Sequence, residues 1–334
     1  MEKSNKRLIE VKNLKKYFTV KNSFFNKEKK FVKAVDGISF YINKGETFGL
    51  VGESGCGKST LGRALTRLYD VTSGEIIFDD VNIANLNRKE MKPFYSRIQT
   101  IFQDPYSSLN PNMSVREIIE EPLKLHTNLT EEERYKKIED LLEIVGLKKE
   151  DMDKFPYEFS GGQCQRIGIA RAVSTEPDFI LCDEPISALD VSIQAQVVNM
   201  LEDLQEKMGL TYLFVAHDLS MVRHISDRIG VMYLGKMVEI SESNELYKEP
   251  LHPYTKGLLS AIPIADPKRA KESDTEIMSG DLPSPIDIPS GCRFHTRCPY
   301  AMDKCKVIEP EMIEIKKGHS VACHLYQERI NLVK

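Results

Sequence analysis

The residues best suited to chemistry lie at positions 52–59, which read GESGCGKS. This spacing, G-x-x-x-x-G-K-[ST], lets successive backbone N–H groups point at the α- and β-phosphates of a nucleoside triphosphate. Lys58 adds a cation for the β- and γ-phosphate oxygens, and Ser59 adds a hydroxyl for Mg²⁺. A glycine-rich turn without a ligand is the alternative, but an apolar strand-like run precedes the motif and a helical run follows it. The predicted phosphate-binding residues are Gly52, Ser54, Gly55, Cys56, Gly57, Lys58, Ser59 and Thr60.

A pair of adjacent acids, Asp183 and Glu184, ends a second apolar strand-like run that starts at Phe179. Asp183 can hold Mg²⁺ through water, and Glu184 can accept a proton from the water that attacks the γ-phosphate. Solvated loop carboxylates are the alternative for such a pair. We predict that Asp183 binds the magnesium nucleotide and that Glu184 is catalytic.

Further motifs surround these acids in a fixed order. Ser160-Gly161-Gly162-Gln163 begins a helical run, Ser187–Asp190 follows the acids, His217 closes the strand-like run 211–216, and Gln103 follows the run 98–102. Many kinases, GTPases and ATPases share a phosphate loop, so the ordered set is more specific than the loop. Over about residues 8–240, this order resembles the ATP-binding-cassette family.

The resemblance implies roles for several residues. His217 would contact the γ-phosphate and orient the water that Glu184 activates. Gln103 would sense Mg²⁺ and that water, and would link them to a partner surface. Tyr17 would stack on adenine, with Phe18 as the competing candidate.

The motif at 160–163 has a different implied role. In the resembled family, Ser160, Gly161, Gly162 and Gln163 cap the γ-phosphate held by a facing cassette, and the helix N-terminus supplies positive dipole. Two cassettes are then required. Since no second phosphate loop occurs in this chain, the facing cassette must come from another polypeptide.

The elements that must position these residues indicate an α/β fold. Short strand-like runs at 8–11, 32–35, 39–42 and 75–78 predict an antiparallel layer beside a parallel core. A capping box at Thr130 and a stop at Gly146 predict one helix, and an apolar stripe predicts another over about 192–208. The resemblance then implies a phosphate-loop NTPase cassette with a RecA-like core. We predict a nucleotide-binding domain at 1–245, its helical subdomain at about 105–175, and a C-terminal extension at 246–334.

Composition excludes several functional classes. The chain has 334 residues, 29% of them charged, with a net charge of −4 and a pI of about 6.1, so no basic excess favours nucleic acid. No uncharged apolar run approaches the roughly 18 residues that span a bilayer, and the polar start 1–7 is not a signal segment. We therefore expect a cytosolic protein that acts at the cytoplasmic face of the membrane through bound partners.

The C-terminal sequence carries a separate candidate site. Four cysteines with the spacing C-x5-C-x6-C-x17-C follow a proline-containing linker at about 262–289: Cys292, Cys298, Cys305 and Cys323. Disulfides are improbable in a reducing cytosol, and four thiolates suit one metal or an iron–sulfur cluster. The spacing alone does not identify the metal, so a zinc site and unligated cysteines remain alternatives to the cluster. Cys56, Cys164 and Cys182 are interpreted as small residues without thiol chemistry.

The run 252–259, HPYTKGLL, and the later cysteines resemble the peptide-importer branch of the family. Together with 51–63 and 102–111, they are most similar to the F-type subunit of oligopeptide and dipeptide permeases. This resemblance implies a [4Fe–4S] cluster that fastens the extension without joining ATP chemistry. It also implies a D-type cassette partner, two membrane subunits and an extracytoplasmic peptide-binding protein. A nickel or opine importer subunit, or a soluble cassette ATPase, is the alternative.

Overall fold

The computed structural model describes residues 6–20, 30–261 and 280–331, and the predicted linker at about 262–289 lies largely outside them. Strands and helices alternate through most of the described chain, which confirms the α/β class. In chain order they are β1 Arg7–Thr19, β2 Phe31–Asn43, β3 Thr47–Val51, α1 Lys58–Leu65, β4 Ser73–Phe78, β5 Val81–Asn82, α2 Arg88–Tyr95, β6 Ile98–Ile101, α3 Val115–His126, α4 Glu131–Ile144, α5 Gly161–Val173, β7 Phe179–Asp183, α6 Val191–Met208, β8 Thr211–Val215, α7 Leu219–Ile225, β9 Arg228–Tyr233, β10 Lys236–Glu242, α8 Ser243–Lys248, α9 Pro253–Ser260, α10 Asp303–Val307, β11 Ile313–Lys316, β12 His319–Val321 and α11 His324–Asn331.

The chain divides into two compact units, each built from separate stretches of sequence. The helical unit comprises Met1–Leu8, Ile42–Thr47 and Asn85–Ala216, and the sheet unit comprises Ile9–Tyr41, Phe48–Ala84 and His217–Lys334. The stretches of the two units therefore alternate along the sequence. The predicted linear boundary near residue 245 stays a prediction.

The helical unit has a short parallel sheet in which β6 pairs with β7 and β7 with β8. Every residue of β7 and β8 is buried, as expected for parallel strands covered on both faces. Helices α3 to α5 fall within the predicted helical subdomain. Their first turns share one device, because Ser114, Thr130 and Ser160 each form a capping box with the residue three positions on.

The sheet unit contains an antiparallel layer in the order β2, β1, β4, β5, which confirms the predicted layer. The two predicted runs 32–35 and 39–42 prove to be one strand, β2. Gly37 lies within it at φ 77°, a left-handed conformation that glycine adopts without a Cβ penalty. The aspartate–glycine pair therefore bends β2 without ending it.

A second group of strands in the sheet unit carries the phosphate loop. Strand β3 pairs in parallel with β9, and β9 turns back antiparallel into β10. Two C-terminal strands then add antiparallel pairs, β10 with β12 and β12 with β11. Within the described ranges, no helix combines the length and the apolar character needed to cross a bilayer.

Candidate nucleotide site

The predicted phosphate loop lies between the buried strand β3 and the N-terminus of α1, so its strand–loop–helix setting is as the motif requires. Two of its glycines are needed for close backbone packing. A Cβ at Gly52 would lie 2.2 Å from the carbonyl oxygen of Met232, and one at Gly57 would lie 2.0 Å from that of Ala34. Gly57 also has φ 109°. Only glycine satisfies both conditions, which fixes the loop against β9 and β2.

Lys58 begins α1 and folds back over the loop. Its Nζ donates to the carbonyl oxygens of Gly52, at 2.7 Å, and Glu53, at 3.1 Å. The ammonium group is buried, so these carbonyls compensate part of its desolvation. An incoming phosphate oxygen is a stronger acceptor for this cation than a neutral carbonyl.

The acid pair is in the helical unit. Asp183 is the last residue of β7 and is 1% exposed. Glu184 follows at φ 50°, and its N–H donates to the Val215 carbonyl oxygen at 3.0 Å. The Nε2 of Gln103 donates to Oε2 of Glu184 at 2.7 Å. The structure therefore brings together two of the residues predicted to act on the attacking water.

The motif at 160–163 forms the N-terminus of α5. The Ser160 hydroxyl accepts from the Gln163 N–H at 3.4 Å, and Oε1 of Gln163 accepts from the Ser160 N–H at 3.0 Å. Both residues are exposed. Gly162 leaves room for α6, because a Cβ there would lie 2.7 Å from Cγ2 of Ile193. The N–H groups of Gly161 and Gly162, which lie at this helix end, suit an anion from outside the unit.

His217 and Tyr17 belong to the sheet unit, as does the phosphate loop. His217 is exposed just after β8. Tyr17 is half-buried at the end of β1, and its hydroxyl donates to Oδ1 of Asp36. Burial and this hydrogen bond raise the pKa of Tyr17 to about 12. This hydrogen bond anchors the ring through its hydroxyl. The stacking of Tyr17 on adenine stays a prediction.

The three cysteines inside the nucleotide motifs are buried. Burial raises the pKa of Cys164 to about 11 and raises those of Cys56 and Cys182. A protonated buried thiol is a weak nucleophile, which agrees with the interpretation of these residues as small packing groups.

The four C-terminal cysteines line one cavity in the sheet unit, together with residues that include His295 and His324. Burial, with a contribution from the neighbouring thiols, raises the pKa of Cys292 to about 11 and that of Cys323 to about 12. Among the described residues, no three histidine, cysteine, aspartate or glutamate side chains form a group that could hold a single metal ion. The thiols share a cavity without converging on one point.

Sequence reasoning missed the residues that surround the phosphate loop within its own unit. Asp36, Tyr254, Arg293 and Arg297 all contact nucleotide-motif residues or their supports. Tyr254 and the two arginines lie in the C-terminal motifs that resembled the peptide-importer branch. The sequence signal for these residues was that they belong to those motifs. That signal did not indicate which residues they contact.

Comparisons with known proteins agree with this geometry. Residues 35–187 match the family model "ABC transporter", and residues 238–305 match "Oligopeptide/dipeptide transporter, C-terminal region". The chain is 53% identical over 320 residues to the oligopeptide transport ATP-binding protein AppF of Bacillus subtilis strain 168, covering 96% of this chain and 97% of AppF. It is 49% identical over 319 residues to the oligopeptide transport ATP-binding protein OppF of Escherichia coli K12, covering 95% of each.

A solved structure shares the cassette architecture. It is the dimeric, post-hydrolysis state of the ATP-binding cassette MJ0796 bound to ADP and phosphate, with a TM-score of 0.63 and 28% identity. The match covers 70% of this chain and 98% of the other. The shared part is therefore a cassette, to which this chain adds further residues.

Proposed function

This chain belongs to the ATP-binding-cassette transporter family, and we propose that it is the ATP-hydrolysing subunit of an importer of oligopeptides or dipeptides. The observation that carries the peptide assignment is the match of residues 238–305 to the C-terminal region of oligopeptide and dipeptide transporters. The near full-length similarity to AppF and OppF supports it. The match of residues 35–187 to the family model "ABC transporter" does not by itself name a substrate.

The proposed reaction is hydrolysis of magnesium ATP. The oxygen of a water molecule bonds to the γ-phosphorus, the bond from that phosphorus to the bridging oxygen breaks, and ADP leaves. Glu184 accepts the proton from the water, while Gln103, which is hydrogen-bonded to Glu184, fixes the direction of its carboxylate. His217 orients the same water. Lys58 stabilises charge on the β- and γ-phosphate oxygens.

When bound, Mg²⁺ would neutralise negative charge that develops on the phosphate oxygens. The residues proposed to hold it, directly or through water, are Ser59, Gln103 and Asp183. The buried carboxylate of Asp183 at a strand end fits this role, since Mg²⁺ prefers oxygen ligands. Tyr17 is proposed as the adenine platform.

We propose that this chain works opposite a second, D-type cassette. The support is the exposed position of Ser160 at the N-terminus of α5, a helix end suited to an anion, and the dimeric state of the MJ0796 cassette. Two membrane permease subunits and an extracytoplasmic peptide-binding protein complete the proposed importer. The chain would then be a peripheral protein at the cytoplasmic face of the membrane.

The C-terminal cysteines are proposed to hold a [4Fe–4S] cluster. Four thiols around one cavity fit a group with four ligand sites. The raised pKa values of Cys292 and Cys323 mean that a bound cation is needed to keep these two as thiolates. A cluster of four irons also separates its ligands more than a single zinc ion does. Residues Cys292, Cys298, Cys305 and Cys323 would be the ligands.

The transport assignment is tested by purifying the chain with its partners from native membranes and reconstituting the complex in vesicles. Uptake of labelled oligopeptides that depends on ATP and on the binding protein is expected. Uptake of nickel or opines without peptide uptake would refute the peptide assignment. Recovery of the chain without permease subunits would favour a soluble cassette ATPase.

The cluster assignment is tested separately by anaerobic purification, with iron, acid-labile sulfide and zinc quantified. About four irons and four sulfides per chain are expected. Replacing Cys305 by serine should lower both, whereas Cys164→Ser, at a buried cysteine outside the cavity, should lower neither. One zinc without sulfide would replace the cluster by zinc, and a metal-free chain would indicate unligated cysteines.

A further inference from the structure

The phosphate loop contains a residue whose charge opposes its task. Glu53 is the second residue of a loop that binds a polyanion, and an unpaired carboxylate there would repel phosphate oxygens. Arg297, 244 positions later in the sequence, pairs with it. Its Nη1 donates to Oε2 of Glu53 at 2.7 Å, and its Nη2 donates to Oε1 at 2.9 Å. Both residues belong to the sheet unit.

This pair has the geometry of a fixed contact. The two parallel hydrogen bonds set the plane of the carboxylate as well as its position, which a lysine ammonium group could not do. The Arg297 side chain is 8% exposed and that of Glu53 is 24% exposed, so solvent screens the pair only in part. The guanidinium also lies over the ring of Tyr233, 5.9 Å from its centroid.

The backbone of Glu53 is held as well. Its N–H donates to the hydroxyl oxygen of Tyr254 at 2.8 Å, and its carbonyl oxygen accepts from Lys58. Tyr254 is fully buried and packs against Tyr233 and Phe294, with ring centroids 4.7 and 5.4 Å apart. The residue is thus held through its side chain, its N–H and its carbonyl group.

The segment that carries Arg297 is fastened at its other end too. Arg293 donates to Oδ2 of Asp36 and to the Leu234 carbonyl oxygen, and Asp36 accepts from the Tyr17 hydroxyl. We call residues 292–298 the cysteine segment. Its Arg293 contacts Asp36, which supports the proposed adenine platform, and its Arg297 contacts the phosphate loop.

We propose that Arg297 is a positioning residue for ATP binding: it neutralises the Glu53 carboxylate and holds it in one position beside the loop that receives the triphosphate. Through this contact, the C-terminal extension sets the nucleotide affinity of the cassette. Preorganising the loop removes an ordering cost from binding, and pairing the carboxylate removes a repulsion from the bound phosphates.

The test measures ATP and ADP affinity of the full-length chain by calorimetry, with thermal unfolding in parallel. Arg297→Gln should weaken binding of both nucleotides about tenfold, within the usual range for coupled sites. Arg297→Lys, which keeps the charge but loses the bidentate geometry, should fall between this variant and the unmodified chain. Adding Glu53→Gln to Arg297→Gln should restore most of the affinity, because the unpaired carboxylate is then gone.

Lys316→Gln is the matched control. Lys316 also joins the C-terminal extension to the rest of the sheet unit, through ion pairs with Glu245 and Glu249 on or next to α8. Neither glutamate belongs to the phosphate loop. The nucleotide affinity of the Lys316→Gln variant should be unchanged. Unchanged affinity in Arg297→Gln, no rescue by Glu53→Gln, or an equal loss in Lys316→Gln would each overturn the proposal. If Arg297→Gln does not fold, Arg297→Lys and the double variant still decide.

Discussion

Replacing Glu184 by glutamine removes the proposed general base and keeps the geometry of the side chain. The glutamine amide has nearly the same shape, and its oxygen can still accept the hydrogen bond that Gln103 donates at 2.7 Å. The N–H that donates to Val215 is unchanged. The left-handed backbone at φ 50° is tolerated about equally by both side chains. The substitution therefore removes the proton acceptor and little else.

The expected effect follows from that separation. General base catalysis contributes about 10²- to 10⁴-fold, so ATP turnover in the assembled transporter should fall at least about hundredfold. ATP affinity should change little, since Glu184 is proposed to act on the water and not on the nucleotide. The unfolding free energy should stay within about 1 kcal/mol of the unmodified chain.

The assay is phosphate release by the purified transporter, with nucleotide binding measured separately. Glu176→Gln is the matched control, because Glu176 is also an acid with a left-handed backbone, at φ 54°. It is exposed and pairs with Lys137, so its turnover should be unaffected. Near-normal turnover in Glu184→Gln would refute the base assignment. A residual rate that disappears when the partner cassette's glutamate is also replaced would come from the partner.

Three further substitutions, one of them a control, test the remaining motifs. Ser160→Arg should leave ATP binding to the isolated chain intact and impair hydrolysis in the complex, because the exposed end of α5 is proposed to meet the partner's nucleotide; lost binding by the isolated chain would refute this. Gly57→Ala should abolish nucleotide binding measured by calorimetry, since its Cβ would lie 2.0 Å from the Ala34 carbonyl oxygen. Gly55→Ala is the control, because no atom lies within 4 Å of the added Cβ. This variant should lose only about 1–2 kcal/mol of free energy to left-handed backbone strain. Equal loss of nucleotide binding in both variants would contradict the packing explanation.

Local sequence rules predicted much of the fold. The capping box at Thr130 marked the start of α4, and Gly146 marked its end, just past which it adopts the left-handed conformation at φ 72°. Such signals involve hydrogen bonds or dihedral angles within a few residues. The single strand β2 was missed because Gly37 has the same local signature whether it ends a strand or bends one.

The phosphate loop was likewise readable because its chemistry lies within eight consecutive positions, 52–59. Its supports were not. Tyr254 and Arg297 reach the loop only through the course of the chain after β10. Asp36 meets Tyr17 because β2 and β1 are neighbours in the antiparallel layer. No periodicity or spacing in one sequence encodes which distant arginine meets which carboxylate.

The contact between Arg297 and Glu53 changes the expected role of the cysteines. The resemblance implied a cluster that fastens the extension without affecting ATP chemistry. Yet Cys292 and Cys298 are the ends of the cysteine segment, and both arginines that reach the cassette lie between them. If these cysteines hold a cluster, its ligand bonds fix both ends of the segment, because metal binding and local folding are coupled.

Removing iron with a chelator should therefore weaken ATP binding in the same direction as Arg297→Gln, and the two changes should not add. Each would release the same carboxylate, and changes that act through one contact are non-additive. Calorimetry on the iron-loaded and iron-depleted full-length chain measures this, with Lys316→Gln as the control that should respond to depletion like the unmodified chain. Full additivity of depletion and Arg297→Gln would show that the cluster affects ATP by another route. Unchanged affinity after complete iron loss would show that protein contacts alone hold the segment in place, as Arg293 and Tyr254 could do through the contacts they already make.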